Sequence, residues 1–288
     1  MTGTARSGTR RPSASLDGRP GLAGMCWQRL VIELKQFFRE REAVVFIFAF
    51  PVVMLVIFAS AFASQTQFVS GGGASVGAAQ YYLTGMVSTG IMLTSFQGLA
   101  TFIAVERDDG TLKRLRGTPM PPLVYFVGKI AQVAFTTVIQ LILLLSVAHI
   151  AYGVDLPRSG PLWLRFVWLV LLGSAAGTVL GIAFSSVPRS GRSAGAVVTP
   201  IVIVLQFISG VYFTYGNLPQ WMHAVASVFP LKWMAQGMRS VFLPPQLVAA
   251  EPGHSWQIGT GAVVLSVWLV AGLFLAVRSF RWTRRDDG

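Results

Sequence analysis

Charged residues are scarce in this chain of 288 residues. Asp, Glu, Lys and Arg make up 12% of it, hydrophobic residues make up 53%, and the mean hydropathy is +0.61. This composition lies outside the range of ordinary soluble domains and predicts a membrane protein. The single cysteine, Cys26, excludes an internal disulfide and a metal site built from cysteines.

Acidic residues and histidines are also few, at 11 and 3. A membrane enzyme would need a clustered nucleophile, base or metal set, which the scattered histidines and the aspartates outside the apolar runs do not supply, so no catalytic residue and no metal site is predicted. A phosphate-binding loop is missing too. Gly128-Lys129 is followed by Ile130 and lacks the first glycine of the motif, which argues against ATP binding by this chain.

Six stretches are long and apolar enough to cross about 30 Å of hydrocarbon as helices. Their continuous apolar character favours helices over a barrel, whose strands would alternate. We number them spans one to six, and they cover residues 43–63, 82–105, 123–152, 163–187, 194–213 and 257–277. The predicted fold is therefore an all-α membrane protein, with a six-span domain over residues 43–281.

The cations show a strong asymmetry. Of 23 Lys and Arg, 18 lie before span one, between spans two and three, between spans four and five, or after span six. The positive-inside rule then places both termini in the cytoplasm. Nucleic-acid binding is disfavoured, because these cations are scattered over membrane flanks and not gathered with stacking aromatics.

The region before span one divides into two parts. Residues 1–24 are rich in Arg, Ser, Gly and Thr, which predicts a disordered cytoplasmic tail. Residues 282–288 are expected to form a second cytoplasmic tail. Over 25–42, apolar residues recur at helical spacing and predict an amphipathic helix on the inner leaflet. The apolar stripe holds Trp27, Leu30, Val31, Leu34 and Phe37, and the opposite stripe holds Arg29, Glu33, Gln36 and Glu40. Periodicity alone does not separate a simple anchor from a lever that moves span one.

Residues 106–122, ERDDGTLKRLRGTPMPP, form a charged island between spans two and three. Asp108, Asp109 and Gly110 are expected to end span two, with Thr111 capping a short helix that the prolines terminate. Charged contacts from this helix, with its leucines in a shallow pocket, would suit a partner protein. A solvated loop that merely obeys the positive-inside rule is the alternative.

Residues 214–256 leave the membrane on the outer side but stay apolar, and they are too long for a structureless loop. We predict one helix from Asn217 and Pro219 to Phe229, and a second over 231–243 before Pro244 and Pro245. This re-entrant pair would cap a pathway from outside, or serve as an interfacial hairpin anchored by Trp221 and Trp233.

Two separated motifs resemble the signatures of type-2 ABC-transporter permeases. The first holds Glu106, Arg107, Gly110, Thr111, Leu112, Thr118, Pro119, Gly128 and Lys129. The second holds Ser209, Gly210, Tyr212, Leu218, Pro219, Trp221, Pro230, Leu231, Gly237 and Arg239. The chain looks closest to small drug-export permeases of daunorubicin-exporter type, and it departs from the family at Thr214-Tyr215, where a proline is common.

The resemblance implies a permease that works with a separate cytoplasmic ATPase, which binds ATP and Mg, and with a second permease subunit as homodimer or heterodimer. No cofactor is expected in this chain. The resemblance assigns coupling to the island, and the helical pair that could cap the pathway is expected to form an outer gate. The expected coupling and ATPase-docking residues are Glu106, Arg107, Gly110, Thr111, Leu112, Leu115 and Arg116. The expected gate residues are Leu218, Pro219, Trp221, Pro230 and Arg239.

A secondary transporter or channel is the competing class, and missing mid-membrane charges and the lack of an evident internal repeat argue against it. Uncharged spans favour an exported drug, antibiotic or lipid-like amphiphile. Polar or aromatic residues within spans that could face its pathway are Phe96, Gln97, Thr101, Gln140, Gln206, Phe207 and Ser209. Small residues in span four, including Gly173, Gly177 and Gly181, would pack between subunits or within one. The arginine-rich composition and the six spans predict a bacterial cell membrane.

Overall fold

A computed structural model of the chain describes residues 21–280. The predictions for the tails therefore lie outside the described residues, except at 21–24. The first helix, α1, begins at Leu22, which is earlier than the predicted residue 25, and ends at Arg39.

Six helices among the described residues are long and apolar enough to cross a membrane, which confirms the predicted number. Span two is a compound helix, because a π-helical turn, the π-turn, joins its two α-helical halves. The bounds are α2 Arg41–Ala61 for span one, α3 Ala78–Met92, the π-turn Leu93–Gly98 and α4 Leu99–Asp108 for span two, α6 Pro122–Tyr152 for span three, α7 Gly160–Phe184 for span four, α8 Gly191–Ile208 for span five, and α11 Ile258–Ser279 for span six.

Shorter elements fill the connections. The island contains α5 Thr111–Arg116, and the outer segment contains α9 Gln220–Val228 and α10 Pro230–Phe242, close to the two helices predicted there. Single 3₁₀ turns lie at Tyr215–Asn217, Pro245–Ala250 and Pro252–His254. The prediction of an all-α fold missed a small antiparallel hairpin, β1 Val69–Gly71 and β2 Ala74–Val76.

Local sequence explains where several elements begin and end. Pro122 begins α6 at a position where its missing N–H costs nothing, and Gly153 ends the helix in the left-handed region at φ 63°. Ser190 and Ser193 form a reciprocal capping box at the start of α8. The hairpin turn uses Gly72 and Gly73 at positive φ, so the three glycines at 71–73 were its sequence signal.

Span two lies at the centre of the bundle, and every residue from 81 to 100 is buried. It packs against α2, α6, α7, α8 and α10, while α1 lies along α6 and α11 lies along α7. Spans one, three and six instead expose apolar side chains such as Val53, Ile142 and Val270. That pattern is expected of helices whose outer faces contact lipid.

Candidate coupling site

Five buried polar side chains meet where α1, the end of span two and the start of span three come together. We call Arg29, Glu33, Glu106, Tyr125 and Lys129 the inner charge cluster. Their exposed fractions range from 0% for Tyr125 to 9% for Glu106, so the cluster is enclosed by the protein. It lies near one end of the bundle, because Lys129 is only about 10 Å along α6 from its first residue.

Lys129 is the hub of the inner charge cluster. Its Nζ donates to Glu33 Oε2 at 2.6 Å and to Glu106 Oε1 at 2.7 Å. Glu106 also accepts from the Tyr125 hydroxyl at 2.8 Å, and Arg29 pairs with Glu33 one helical turn away. The Arg29 guanidinium and the Lys129 ammonium lie 5.2 and 5.6 Å from the centre of the Tyr125 ring. One network therefore ties together three elements that are distant in sequence.

The orientation of α1 corrects one expectation from the sequence. Arg29 and Glu33, expected on a solvent-facing stripe, are buried together with Phe37, whereas Trp27 is 68% exposed. The reason is that α1 contacts α6 through this charged face, and its exposed side still carries apolar residues. Gly128 allows the contact: a Cβ there would lie 2.5 Å from Arg29 Cγ, so any side chain would force Arg29 to shift from its place in the cluster.

The cluster holds two cations and two carboxylates, so its formal charge balances. Burial raises the pKa of Glu33 above its ordinary value of 4.5, although Lys129 lowers it and Glu106 adds to the rise. Desolvation thus outweighs the attraction to the cations at this carboxylate. Such buried pairs add little net stability compared with apolar packing, but removing one partner is costly.

The island turns sharply after span two, as predicted. Gly110 takes the left-handed conformation at φ 78°, and the Thr111 N–H donates to Asp109 Oδ1 at 2.8 Å. The N-cap of α5 is thus Gly110 and not Thr111, and the carboxylate of Asp109, one residue before the cap, accepts from the first N–H of the helix. A β-carbon at 110 would be strained by this φ.

The leucines and first charges of the island do not point outward as expected. Leu112 is fully buried in a small core with Leu99 and Ile103, so it supports the turn from inside. Glu106 belongs to the inner charge cluster, and Arg107 donates to the Ser185 carbonyl at 2.5 Å. Leu112 and Glu106 are thus enclosed by the chain itself, and their role in docking an ATPase stays a prediction. Lys113, Arg114, Arg116 and Gly117 form the exposed face of the island, and Leu115 is half-buried.

At the other end of the bundle, α10 is buried from Leu231 to Phe242. Its polar residues Lys232, Gln236 and Arg239 are enclosed with it, and the segment after α10 folds back and supplies Glu251. The Glu251 carboxylate accepts from Arg239 Nε at 2.5 Å and from Nη2 at 3.1 Å. Lys232 lies 3.2 Å above the Trp233 ring, which is buried and so is not an exposed anchor.

The expected gate residues do not form one group. Leu218 and Pro219 line an outer cleft of about 570 Å³ together with the predicted pathway residue Phe207. Trp221 is 61% exposed outside that cleft, Pro230 lines a different cavity, and Arg239 is fully buried.

The expected pathway residues are also dispersed. Gln140, Gln206 and Ser209 are fully or almost fully buried, and the Tyr212 hydroxyl donates to Gln206 Oε1 at 2.5 Å. Gln97 Nε2 donates to the Thr199 hydroxyl at 3.3 Å, and Thr101 donates to the Gln97 carbonyl. Phe96 lines a cavity described below. The structure therefore gives these seven residues no common surface within one chain.

Three glycines of span four have a defined role within the chain. A Cβ at Gly177 would lie 2.1 Å from Ser95 Oγ, one at Gly181 would lie 2.9 Å from the Phe96 carbonyl, and one at Gly173 would meet Met234. These glycines therefore let span four approach the π-turn and α10. Of the two packing modes left open by the sequence, the structure shows the intramolecular one at these positions.

Sequence reasoning missed four members of the inner charge cluster, namely Arg29, Glu33, Tyr125 and Lys129. Lys129 was part of the first signature but received no role. The i,i+4 pair Arg29 and Glu33 was visible, yet the same spacing is common on solvated helix faces.

Comparisons with known proteins agree with the motifs. The family described as ABC-2 type transporter matches residues 25–243. The "Probable multidrug ABC transporter permease YbhR" of Escherichia coli (strain K12) is 24% identical over 163 residues, and its counterpart in Escherichia coli O157:H7 matches equally. These alignments cover 56% of this chain and 42% of each relative.

Proposed function

The chain belongs to the ABC-2 type transporter family and is a multi-pass permease subunit, and we propose that it forms an exporter with a separate cytoplasmic ATPase. In this proposal the ATPase binds ATP and Mg, and two permease subunits, identical or homologous, enclose the pathway. The proposal of drug export is supported by the name of a distant relative, a probable multidrug ABC transporter permease.

The observation that carries the coupling proposal is the inner charge cluster. Lys129 holds Glu106, at the root of the island, and Glu33, on α1, within 2.7 Å of one ammonium group. A displacement of the island cannot leave α1 and span three behind without separating buried opposite charges, which is costly. The island, α1 and span three are therefore proposed to move as one unit when the ATPase closes. This favours the lever interpretation of α1 over the simple anchor.

Docking and transmission fall to different residues of the island. The exposed cations Arg114 and Arg116 are the proposed contacts of the ATPase, together with Leu115. Glu106, Arg107, Gly110, Thr111 and Leu112 shape the turn and join it to the bundle. Glu106 thus transmits the movement without touching the partner.

Further features of the chain support its orientation in the membrane and the class of its substrate. The cation asymmetry of the sequence supports an orientation with both ends of the chain in the cytoplasm, and the relatives from Escherichia coli support a bacterial cell membrane. The outer cleft with Leu218, Pro219 and Phe207 is proposed as part of the exit, capped by α9 and α10 as a re-entrant pair. Its aromatic and uncharged lining suits an amphiphilic compound.

The test is purification of the tagged permease from native membranes in mild detergent, with mass spectrometry and an ATPase assay on the eluate. We expect a co-purifying ATPase. Arg116→Glu should weaken its recovery, because the reversed charge lies on the docking face. Glu33→Gln should leave recovery intact but reduce ATP-dependent extrusion of an amphiphilic fluorescent dye in proteoliposomes.

The matched control is Arg158→Glu, which reverses an exposed cation in the connection between spans three and four. It should change neither recovery nor extrusion. If no ATPase co-purified while other ABC complexes in the same membranes stayed intact, the proposal would fail. Ion-driven flux by a secondary transporter or channel would then be the next test.

A further inference from the structure

A second internal feature is a cavity of about 430 Å³ beside the π-turn of span two. It is bounded by α7, α8, α10 and α11 and has Met92, Phe96 and Met234 on its wall. On α7 its wall includes Gly173 and Gly177. A volume of this size is within the range of small-molecule sites, at about 300–1,000 Å³. Packed interiors ordinarily contain few voids larger than one water.

The lining excludes a polar occupant. None of the described residues on its wall is charged, and its serines are already engaged: Ser95 donates to the Ile91 carbonyl at 2.6 Å, Ser186 to the Ala183 carbonyl at 2.9 Å, and Ser279 to the same carbonyl at 3.2 Å. A buried water needs two to four polar partners, which this wall does not offer. Large apolar cavities of this kind stay dry and accept apolar molecules.

The cavity also reaches the surface of the chain at an apolar place. Val187 and Leu275 both line it and are 49% and 46% exposed. Leu275 lies on span six between exposed Phe274 and Val277, a surface suited to lipid. An apolar molecule dissolved in the bilayer would enter from the side without crossing water.

We infer that this cavity is a binding site for an uncharged apolar chain or ring. The occupant comes either from a membrane lipid, as an acyl chain, or from a hydrophobic compound handled by the transporter. If the occupant is a hydrophobic compound handled by the transporter, the inference rests on the proposed export function and extends it. Binding itself belongs to the single chain and is measured without ATPase or ATP, so its failure would leave the coupling proposal standing.

The test is photolabelling of the purified protein in lipid nanodiscs. One arm uses a phospholipid with a diazirine in its acyl chain, and the other uses the small uncharged probe 3-trifluoromethyl-3-phenyldiazirine. Mass spectrometry then locates the adducts. We expect adducts on Met92, Phe96 or Met234, which are at most 8% exposed and lie away from bulk lipid. Adducts from the phospholipid identify a resident acyl chain, and adducts from the small probe alone identify a site for compounds.

Two variants of span five provide the matched comparison. Ile201→Trp places a large ring in the cavity and should reduce interior labelling several-fold. Ile203→Trp makes the same change at a residue that is 42% exposed on the outer face, and should not. Ile201→Phe is the milder form if the tryptophan variant does not fold. Labelling by both probes that is confined to surface residues such as Ile203 in the unchanged protein would overturn the inference.

Discussion

Removal of the Lys129 ammonium is the most demanding test of the inner charge cluster. Lys129→Met keeps much of the side-chain length but leaves the carboxylates of Glu33 and Glu106, which are 1% and 9% exposed, without their hub. Arg29 still pairs with Glu33, but it is 4.0 Å from Glu106. One buried carboxylate therefore loses its close cation.

Breaking a buried pair in this way costs about 3–5 kcal/mol of unfolding free energy. Each kcal/mol shifts the melting temperature of a domain of 150–250 residues by about 2–4 °C, so we expect a decrease of roughly 6–20 °C. Thermal unfolding of the purified permease, followed by the loss of its monodisperse peak in size-exclusion chromatography, measures this decrease.

The control is Lys35→Met, which removes an exposed cation from α1 and should change the unfolding free energy by about 0.5 kcal/mol or less. Adding Glu106→Gln to Lys129→Met should recover part of the loss, since the carboxylate without a close cation is then neutral. The reasoning is refuted if Lys129→Met and Lys35→Met have the same melting temperature. It is also refuted if adding Glu106→Gln to Lys129→Met lowers the melting temperature by as much as Glu106→Gln does alone.

Two further predictions concern other parts of the bundle. Gly177→Ala should lower the unfolding free energy by about 1–3 kcal/mol, because the new Cβ overpacks against Ser95. Adding Ser95→Ala should recover part of this loss. The control Gly195→Ala, which has open space around its Cβ, should not destabilise the protein. Burial, with repulsion from Arg239, lowers the pKa of Lys232 from 10.5 to about 8, so its protonation opposes folding below that pH. Thermal stability should therefore rise from pH 8 towards 10.5. Lys232→Met should flatten that rise and have a higher melting temperature than the unchanged protein at pH 7. If the melting temperatures of both proteins depended on pH in the same way, the rise would not come from Lys232.

The six spans could be predicted from sequence because hydropathy over about 20 residues depends on the bilayer and hardly on the fold. The outer helices could be predicted because Pro219, Pro230 and Pro244 mark their limits. The direction in which the charged residues of α1 and α10 face could not be predicted in this way. In water a charged stripe turns outward, but α1 has lipid on one side and a charged partner surface on the other, so both of its faces have favourable surroundings. The π-turn leaves no periodic signal, since it adds one residue to a helix that is buried all round.

Span two connects the two polar regions of the permease. Its last turn carries Glu106 in the inner charge cluster, and near its first residues the Tyr81 hydroxyl accepts from the Tyr215 N–H at 3.2 Å, beside Arg239. Between them lies the π-turn, where the regular helical hydrogen bonding is interrupted and where π-bulges often mark functional sites. The glycines of span four hold this turn in place, and the apolar cavity lies against it. A movement that enters at Glu106 would therefore reach the cavity before it reaches the outer cleft. A Glu33→Gln variant that retained its ATPase but lost extrusion would then have lost this transmission and not the docking.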